Sequence, residues 1–328
     1  MLKKNKSAGI TGIGAVLMDL LVNEDDRFLI NLGKRKGGMT LVDNDDMENI
    51  LKRTSDKPVA VPGGAACNTI VGVGQLGGRA RFIGSRGDDE YGVFYERLIE
   101  QFNVEPVFSV SSLPTGKVLS IITPDAQRSM FTYLGASTEL DPEKINKAMF
   151  KDTAIAVIEG YLLFNPDLIM AALKSAKSAG ALIALDLASF EVVENSMGIL
   201  KDIVKDYVDI LIANEDEAKA YTGFADETKA IKALSEDVSI GVLKLGERGS
   251  RISAEGRIIT VKPETGEDIV DTTGAGDLWA AGFLFGLANG FSIEKSGQIA
   301  SACGYEVCRV MGAHIPDDGW NRIRALFL

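Results

Sequence analysis

Cysteine, histidine and positive charge are all scarce in this chain, and no long apolar run occurs in it. The three cysteines, Cys67, Cys303 and Cys308, are odd in number and show no metal-ligand spacing. A complete disulfide framework and a cysteine-bound metal are therefore not expected. All three sit in apolar, helix-patterned surroundings and read as reduced core residues. The single histidine is His314. Lys and Arg number 35 against 46 Asp and Glu, a net charge of −11, which argues against affinity for nucleic acid or an anionic membrane. An anionic nucleotide is still admissible as a substrate, because a helix terminus and Mg²⁺ can supply positive charge locally. No apolar run reaches the roughly 20 residues of a membrane span. The start, Met1 to Lys6, is basic, but a glycine-rich strand and turn with Asp19 follows it instead of a signal-type apolar region. The cytoplasm is the expected location.

The 328 residues are 46% hydrophobic and 25% charged, the composition of a soluble globular protein that can bury a core without staples. From Ala154 onward, short apolar runs alternate with amphipathic stretches. Strands are expected at 154–158, 181–185, 208–212 and 239–245, with helices at 166–179, 190–206 and from Glu215. Continuous apolar strands separated by helices indicate an α/β fold whose parallel sheet is covered on both faces. Residues 251–261 read as a hairpin turning at Glu255-Gly256. Two long helices, about 274–289 and 293–310, end the pattern. Two segments, roughly 17–42 and 106–134, break the rhythm. The second holds strands at 117–122 and 129–134 around Pro124-Asp125-Ala126-Gln127, with no helix between them. They predict a small β-sheet inserted in one domain spanning 1–328.

The densest chemical signal is Asp271-Thr272-Thr273-Gly274-Ala275-Gly276-Asp277, directly before the apolar helix that begins Leu278-Trp279-Ala280. First-turn amides of a helix lack internal partners and carry the positive end of its dipole, so they bind anions. Gly274, Ala275 and Gly276 let the backbone approach such an anion closely. Asp277, fixed at the same turn, can take a proton from a hydroxyl held beside it. A phosphate cradle next to a carboxylate base is what phosphoryl transfer to an alcohol requires. The plainer alternative, an Asp/Thr-capped helix with glycine in its loop, is common. A second glycine site, Val61-Pro62-Gly63-Gly64-Ala65-Ala66-Cys67-Asn68, shifts the weight towards chemistry. There, backbone amides and the Asn68 side chain can be brought to one ligand.

Taken together, these sites resemble those of the ribokinase-like (PfkB) carbohydrate kinase family. Gly63-Gly64…Asn68, followed by Phe82-Ile83-Gly84…Gly87-Asp88-Asp89…Gly92, resembles its amino-terminal signature, and Asp271 to Leu284 its carboxyl-terminal one. The resemblance spans nearly the whole chain and implies a three-layer α/β/α sandwich with a small β-sheet lid. It implies that Asp277 is the catalytic base and that Gly274, Ala275 and Gly276 form the anion hole. Asn214 and Glu217, in Asn214-Glu215-Asp216-Glu217, would organise Mg²⁺ and phosphate, partly through water; the same pair also reads as a helix cap. Lys244-Leu245-Gly246-Glu247-Arg248-Gly249 resembles the nucleotide-binding loop, which puts Lys244, Gly246 and Gly249 beside ATP. Asp271 and Thr273, with carbonyls from about Arg309 to Ile315, resemble a monovalent-cation (K⁺) loop, although here the 308–314 segment is one residue longer than the commoner pattern. His314 either lines the adenine pocket in that loop or faces solvent.

The resemblance assigns Asp19, at the end of Gly12-Ile13-Gly14-Ala15-Val16-Leu17-Met18-Asp19, to the acceptor hydroxyls, with Gly63, Gly64, Asn68 and Glu159 around the same substrate. Lys36 to Asp43, Pro114-Thr115-Gly116, Thr123-Pro124-Asp125, Leu134 to Ser137 and Glu159 to Leu163 are similar to the adenosine-kinase-like branch. The expected acceptor is therefore a nucleoside such as adenosine, with a plain sugar (ribose or fructose) as the alternative. Phe131 and Tyr133 share one face of the lid hairpin, as a clamp on the base or as lid core. A non-catalytic ligand-binding protein on the same fold is the reading from another class, and intact Asp277, Asn214 and Glu217 count against it. A nicotinamide enzyme is suggested only by Gly72-Val73-Gly74-Gln75-Leu76-Gly77, which spells G-x-G-x-x-G inside a helix instead of between a strand and a helix. Those glycines read as helix-packing positions. A monomer and a homodimer paired through lid strand edges are both open.

Overall fold

A computed structural model describes residues 9–33, 36, 38–124, 128–266 and 268–327, and of Arg128 only the backbone. The basic start at 1–6, Gly37 of the 36–43 stretch and the hairpin turn at 125–127 lie outside the described residues. The first half runs β1 (Gly9–Ile13), β2 (Leu17–Asn23), α1 (Asp26–Asn31), β3 (Gly38–Leu41), α2 (Asn44–Leu51), β4 (Val59–Gly63), α3 (Ala65–Gln75), β5 (Ala80–Gly87), α4 (Glu90–Gln101), β6 (Val104–Ser111), β7 (Gly116–Ile122) and β8 (Arg128–Tyr133). Then come β9 (Thr153–Glu159), α5 (Pro166–Ala179), β10 (Leu182–Asp186), α6 (Phe190–Tyr207), β11 (Ile210–Ala213), α7 (Glu215–Thr222) and α8 (Glu227–Leu234). The chain finishes with β12 (Ile240–Lys244), β13 (Ser250–Ala254), β14 (Arg257–Val261), α9 (Ala275–Ala288), α10 (Ile293–Cys308) and α11 (Asp317–Arg324).

The main sheet has nine strands in the order β14-β13-β12-β11-β10-β9-β1-β5-β6. From β12 to β6 every pairing is parallel, and β13 and β14 add an antiparallel hairpin. Period-two alternation feeds both faces. In β9, Ile155 and Val157 join one core with α3, α9 and α10, whereas Ala156 and Ile158 join a second core with α5 and α6. Burying each such Ile or Val side chain contributes roughly 1.5–3 kcal/mol, so a strand apolar on both sides belongs in the middle of three layers. This is the α/β/α sandwich expected from the sequence. Helix α5 shows why the helices fall where they do. The Asn165 side chain caps it by accepting from Leu168 N, Pro166 opens it, and Gly180 closes it at φ 85°. The β13–β14 hairpin turns at Glu255 (φ 52°) and Gly256 (φ 72°), the two positive φ values of its turn type.

The second sheet has the order β3-β8-β7-β2-β4. One of its faces packs Met18, Leu20, Leu119, Ile121 and Phe131 against Leu29 of α1 and Met47 and Ile50 of α2. Phe131 is therefore core of the small sheet, and Tyr133 packs against the same cluster. The expected lid boundary at Pro106 needs correction. Residues 104–111 form β6, which runs parallel to β5 at the edge of the main sheet. An edge strand tolerates proline, because one row of its amides has no partner to lose. The small sheet instead gains β4 at residues 59–63, which also carries a proline and also lies at an edge. Gly72 acts as the sequence suggested, whereas Gly74 makes room for the Phe102 carbonyl after α4. A Cβ on Gly72 would stand 2.6 Å from the Ala281 Cβ of α9, so the glycine lets the two helices touch. No helix among the described residues is long and apolar enough to cross a membrane.

Candidate active site

The parallel strands end at one edge of the main sheet, where open α/β sheets bind ligands. Glu159 ends β9, Asp186 ends β10, Asn214 follows β11 and Lys244 ends β12. Helices α3 and α9 begin at the same edge. Gly274 caps α9 at φ 72° with no side-chain cap bond, which leaves the first amides of the helix to another acceptor. A Cβ on Gly274 would lie 2.6 Å from the Ala313 Cβ, so glycine is demanded there by both conformation and space. Asp277, in the first turn, is half-buried. Its Oδ2 accepts from Asn68 Nδ2 at 2.9 Å, and Thr69 Oγ1 donates to its backbone oxygen at 3.1 Å. These two bonds lock the α3 and α9 N-termini together. Burial pushes the Asp277 carboxyl up from 3.8 to about 6, and Asp186 adds to the rise, while the Asn68 hydrogen bond and Lys244 oppose it. A carboxylate with that value is ionised at neutral pH and still basic enough to take a hydroxyl proton.

Lys244 Nζ binds Asp186 Oδ2 at 2.9 Å and would stand 3.0 Å from a Cβ on Gly276. A cation therefore sits over the first turn of α9. Asn214 and Glu217 form the reciprocal cap at the start of α7: Glu217 N donates to Asn214 Oδ1 at 2.9 Å and Asn214 N to Glu217 Oε2 at 2.8 Å. Asn214 Nδ2 also reaches Glu217 Oε1, at 2.7 Å. Burial raises the Glu217 carboxyl from 4.5 to about 7; Lys244 opposes that rise, and Asp186 adds to it. Among the described residues no three Cys, His, Asp or Glu side chains form a metal cage. Mg²⁺ does not need one, since it keeps several waters and binds through one or two carboxylates plus phosphate. The Asn214–Glu217 pair fits that role through water, because its oxygens are already engaged within the cap.

Glu159 is turned inward. Its Oε1 accepts from Ala15 N at 2.9 Å and its Oε2 from Ala66 N at 3.2 Å, which joins the β1–β2 connection to the start of α3. Burial pushes its carboxyl from 4.5 up to about 7 against the pull of those two amides. The sequence suggested Glu159 as a substrate-side residue; in the structure both carboxylate oxygens bind backbone amides, of Ala15 and of Ala66. Asp19 lies on the open face of the small sheet, in register with Val61 on β4 and Val118 on β7. A Cβ on Gly63 would fall 2.3 Å from its carboxyl carbon, so glycine there makes room for Asp19. Gly64, at φ 95°, caps α3 without a side-chain bond.

The nucleotide-loop glycines differ in surroundings. Gly246 faces open space, whereas a Cβ on Gly249 would meet the Val261 carbonyl at 2.1 Å. Asp271 Oδ1 accepts from Thr273 N at 3.0 Å and Thr273 Oγ1 at 2.7 Å, and Oδ2 accepts from Gly312 N at 2.9 Å. This carboxylate ties the loop before α9 to the segment after α10. His314 is exposed and lies against Phe102, with ring centroids 4.8 Å apart. Two features escaped the sequence reading. One is Asp186, whose only signal was an aspartate ending an apolar strand. The other is a set of exposed aromatics beyond the strand ends: Tyr161 and Phe164 after β9, and Phe190 after β10. Their signal was an aromatic side chain directly after a buried strand, where the core no longer needs it.

A helix start with unpartnered amides, a carboxylate beside it and an aspartate on the open face of the small sheet are the parts that a phosphotransferase with an alcohol acceptor needs. Residues 38–318 match the pfkB family of carbohydrate kinases, and the chain belongs to that family. The crystal structure of adenosine kinase from Sinorhizobium meliloti is 32% identical in sequence and superposes with a TM-score of 0.88 over 97% of this chain and 99% of that one. The adenosine kinase of Saccharomyces cerevisiae is 27% identical over 318 residues, 88% of this chain and 92% of that enzyme. Probable fructokinase-5 of Arabidopsis thaliana is 29% identical over 278 residues, 78% of this chain and 84% of that protein. As a member of the family, the chain is a kinase that uses ATP and acts on a sugar or nucleoside.

Proposed function

We propose that this kinase transfers the terminal phosphoryl group of ATP to a ribose hydroxyl of a purine nucleoside, adenosine or a near relative. The Asn68–Asp277 pair at the start of α9 carries the reading. Asp277 is aimed by Asn68, ionised near neutrality, and adjacent to the helix amides where the transferring group would rest. It takes the acceptor's proton as the oxygen attacks phosphorus, and the amides around Gly274–Gly276 with Lys244 take up the charge that develops. Bound Mg²⁺, held through water by Asn214 and Glu217, supplies further positive charge to the phosphates.

The acceptor reading rests on what surrounds Asp19. The face it shares carries Met39, Leu41 and Val59, respectively 54%, 62% and 62% exposed. The connections that follow β9 and β10 expose further aromatics, Tyr161 at 41%, Phe164 at 60% and Phe190 at 43%. A free sugar has little use for such walls; a flat base does, while Asp19 accepts from the ribose hydroxyls. The likeness to the Sinorhizobium meliloti adenosine kinase favours the same choice. The likeness to the Arabidopsis fructokinase favours the second reading, a sugar kinase. We read residues 1–328 as one domain with the small sheet as its lid, which would shut water out on closing and protect ATP from hydrolysis. A monovalent cation such as K⁺ is assigned to the Asp271–Thr273 loop, which the Asp271 carboxylate ties to Gly312. Use of ATP fits a cytoplasmic enzyme. Incubation with Mg·ATP and a panel of nucleosides and sugars, read as ADP release, decides the acceptor. Release with adenosine and not with fructose or ribose is expected; release with fructose alone overturns the nucleoside reading.

A further inference from the structure

Asp186 reaches the site by two bonds. Its Oδ1 accepts from Ala188 N at 3.1 Å and its Oδ2 from Lys244 Nζ at 2.9 Å. The two side chains are only 20% and 14% exposed, so water screens their attraction weakly. Lys244 has other carboxylates within electrostatic reach, those of Glu217 and Asp277. It takes Asp186, and its ammonium thereby stands over the first turn of α9, where the backbone amides lack partners.

We propose that Asp186 is a positioning residue for the nucleotide: it anchors Lys244 over the start of α9 and clear of Asp277, so that the cation meets the phosphates on arrival. The proposal rests on the phosphotransfer reading above. Lysine is a point charge on a flexible stem, and without an anchor it would also sample Glu217 and Asp277. A pairing with Asp277 would occupy the base that the acceptor needs. An ammonium has three protons to donate, so Nζ can hold Asp186 and a phosphate oxygen together. Burial alone would push the Lys244 ammonium down; the Asp186 and Glu217 carboxylates outweigh it and hold the group above the usual lysine range, fully charged. Among the described residues no other side chain hydrogen-bonds to Asp186, and its second oxygen is held by its own turn. Its side-chain bonding is thus divided between the lysine and the local backbone.

The test is a double-mutant cycle of Asp186→Asn and Lys244→Met. Asparagine keeps the shape and the acceptor for Ala188 N but turns the wrong kind of group toward the ammonium. Mg·ATP affinity is measured by calorimetry without acceptor, and KM is measured for ATP and acceptor separately. Asp186→Asn should weaken nucleotide binding roughly tenfold or more and raise the ATP KM, with the acceptor KM changed by less than about twofold. In the Lys244→Met background the same change should add less than about twofold, because Asp186 acts through the lysine. Nucleotide binding that is unchanged or tighter in Asp186→Asn overturns the proposal, as does a full loss that persists without Lys244. If Asp186→Asn is unfolded by circular dichroism, Asp186→Ser, which keeps an acceptor for Ala188 N, is read by the same criteria. A wild-type enzyme that phosphorylates no acceptor would remove the phosphotransfer reading instead, and the calorimetric cycle would still judge the anchor.

Discussion

Replacing Asn68 with alanine removes the amide that donates to Asp277 Oδ2 at 2.9 Å. That bond stabilises the ionised carboxylate, so its loss pushes the Asp277 carboxyl further up from about 6. A hydrogen bond to a charged group contributes about 1.5–3 kcal/mol, which at 1.36 kcal/mol per pH unit is roughly one to two units. A base works only when ionised, so activity rises with pH through its pKa. In a profile of kcat/KM against pH, which reports the free enzyme, the acid limb should move from about 6 to about 7–8. At pH 9 both proteins carry an ionised Asp277, and the rate there isolates any loss of acceptor binding from the loss of base. An acid limb that stays in place, or moves to lower pH, would refute the claim that Asn68 tunes this carboxylate.

The two glycines flanking Ala275 should separate stability from nucleotide binding. Gly274→Ala forces a left-handed residue and a 2.6 Å contact with the Ala313 Cβ, so urea unfolding should show a loss of about 2–4 kcal/mol. Gly276→Ala meets only the movable Lys244 Nζ at 3.0 Å; it should leave stability within about 0.5 kcal/mol and raise the ATP KM. The reverse pattern would contradict the placement of Lys244. Glu159 adds a pH-dependent term. The native state holds its proton up to about pH 7, whereas the unfolded chain releases it near 4.5. Native Glu159 thus binds more protons in that window, and stability falls as pH rises through it. Relative to E159Q, the wild type should lose up to about 3 kcal/mol between pH 5 and 8, read from urea midpoints at each pH. A pH-independent difference would mean that Glu159 is ionised throughout, with the two amides outweighing burial.

Helices with strong caps or a long apolar run were legible from sequence. Helix α5 announces itself through Asn165, Pro166 and Gly180, and α9 through the small residues before an all-apolar run. The short helices α1, α2, α8 and α11 were not, because six to eight largely polar residues give little periodicity to read. Strand β6 was misplaced because Pro106 looks like a break until the strand is known to lie at an edge. Asp277, Asn68, Asn214, Glu217 and Lys244, which the structure brings to the carboxyl edge of the main sheet, each belong to a local motif that can be read from sequence. Asp186 was missed because its partner is 58 residues away and no motif joins them. The backbone contacts of Glu159 were illegible for the same reason: its two amides are 144 and 93 residues distant.

The central claim is that Asp277 is the base for phosphoryl transfer, and Asp277→Asn tests it most directly. The amide keeps the shape, yet it cannot take a proton. Turnover measured as ADP release with Mg·ATP and adenosine should fall by about 10²–10⁴-fold, with ATP affinity nearly unchanged. Turnover within a few-fold of the wild type would contradict the account.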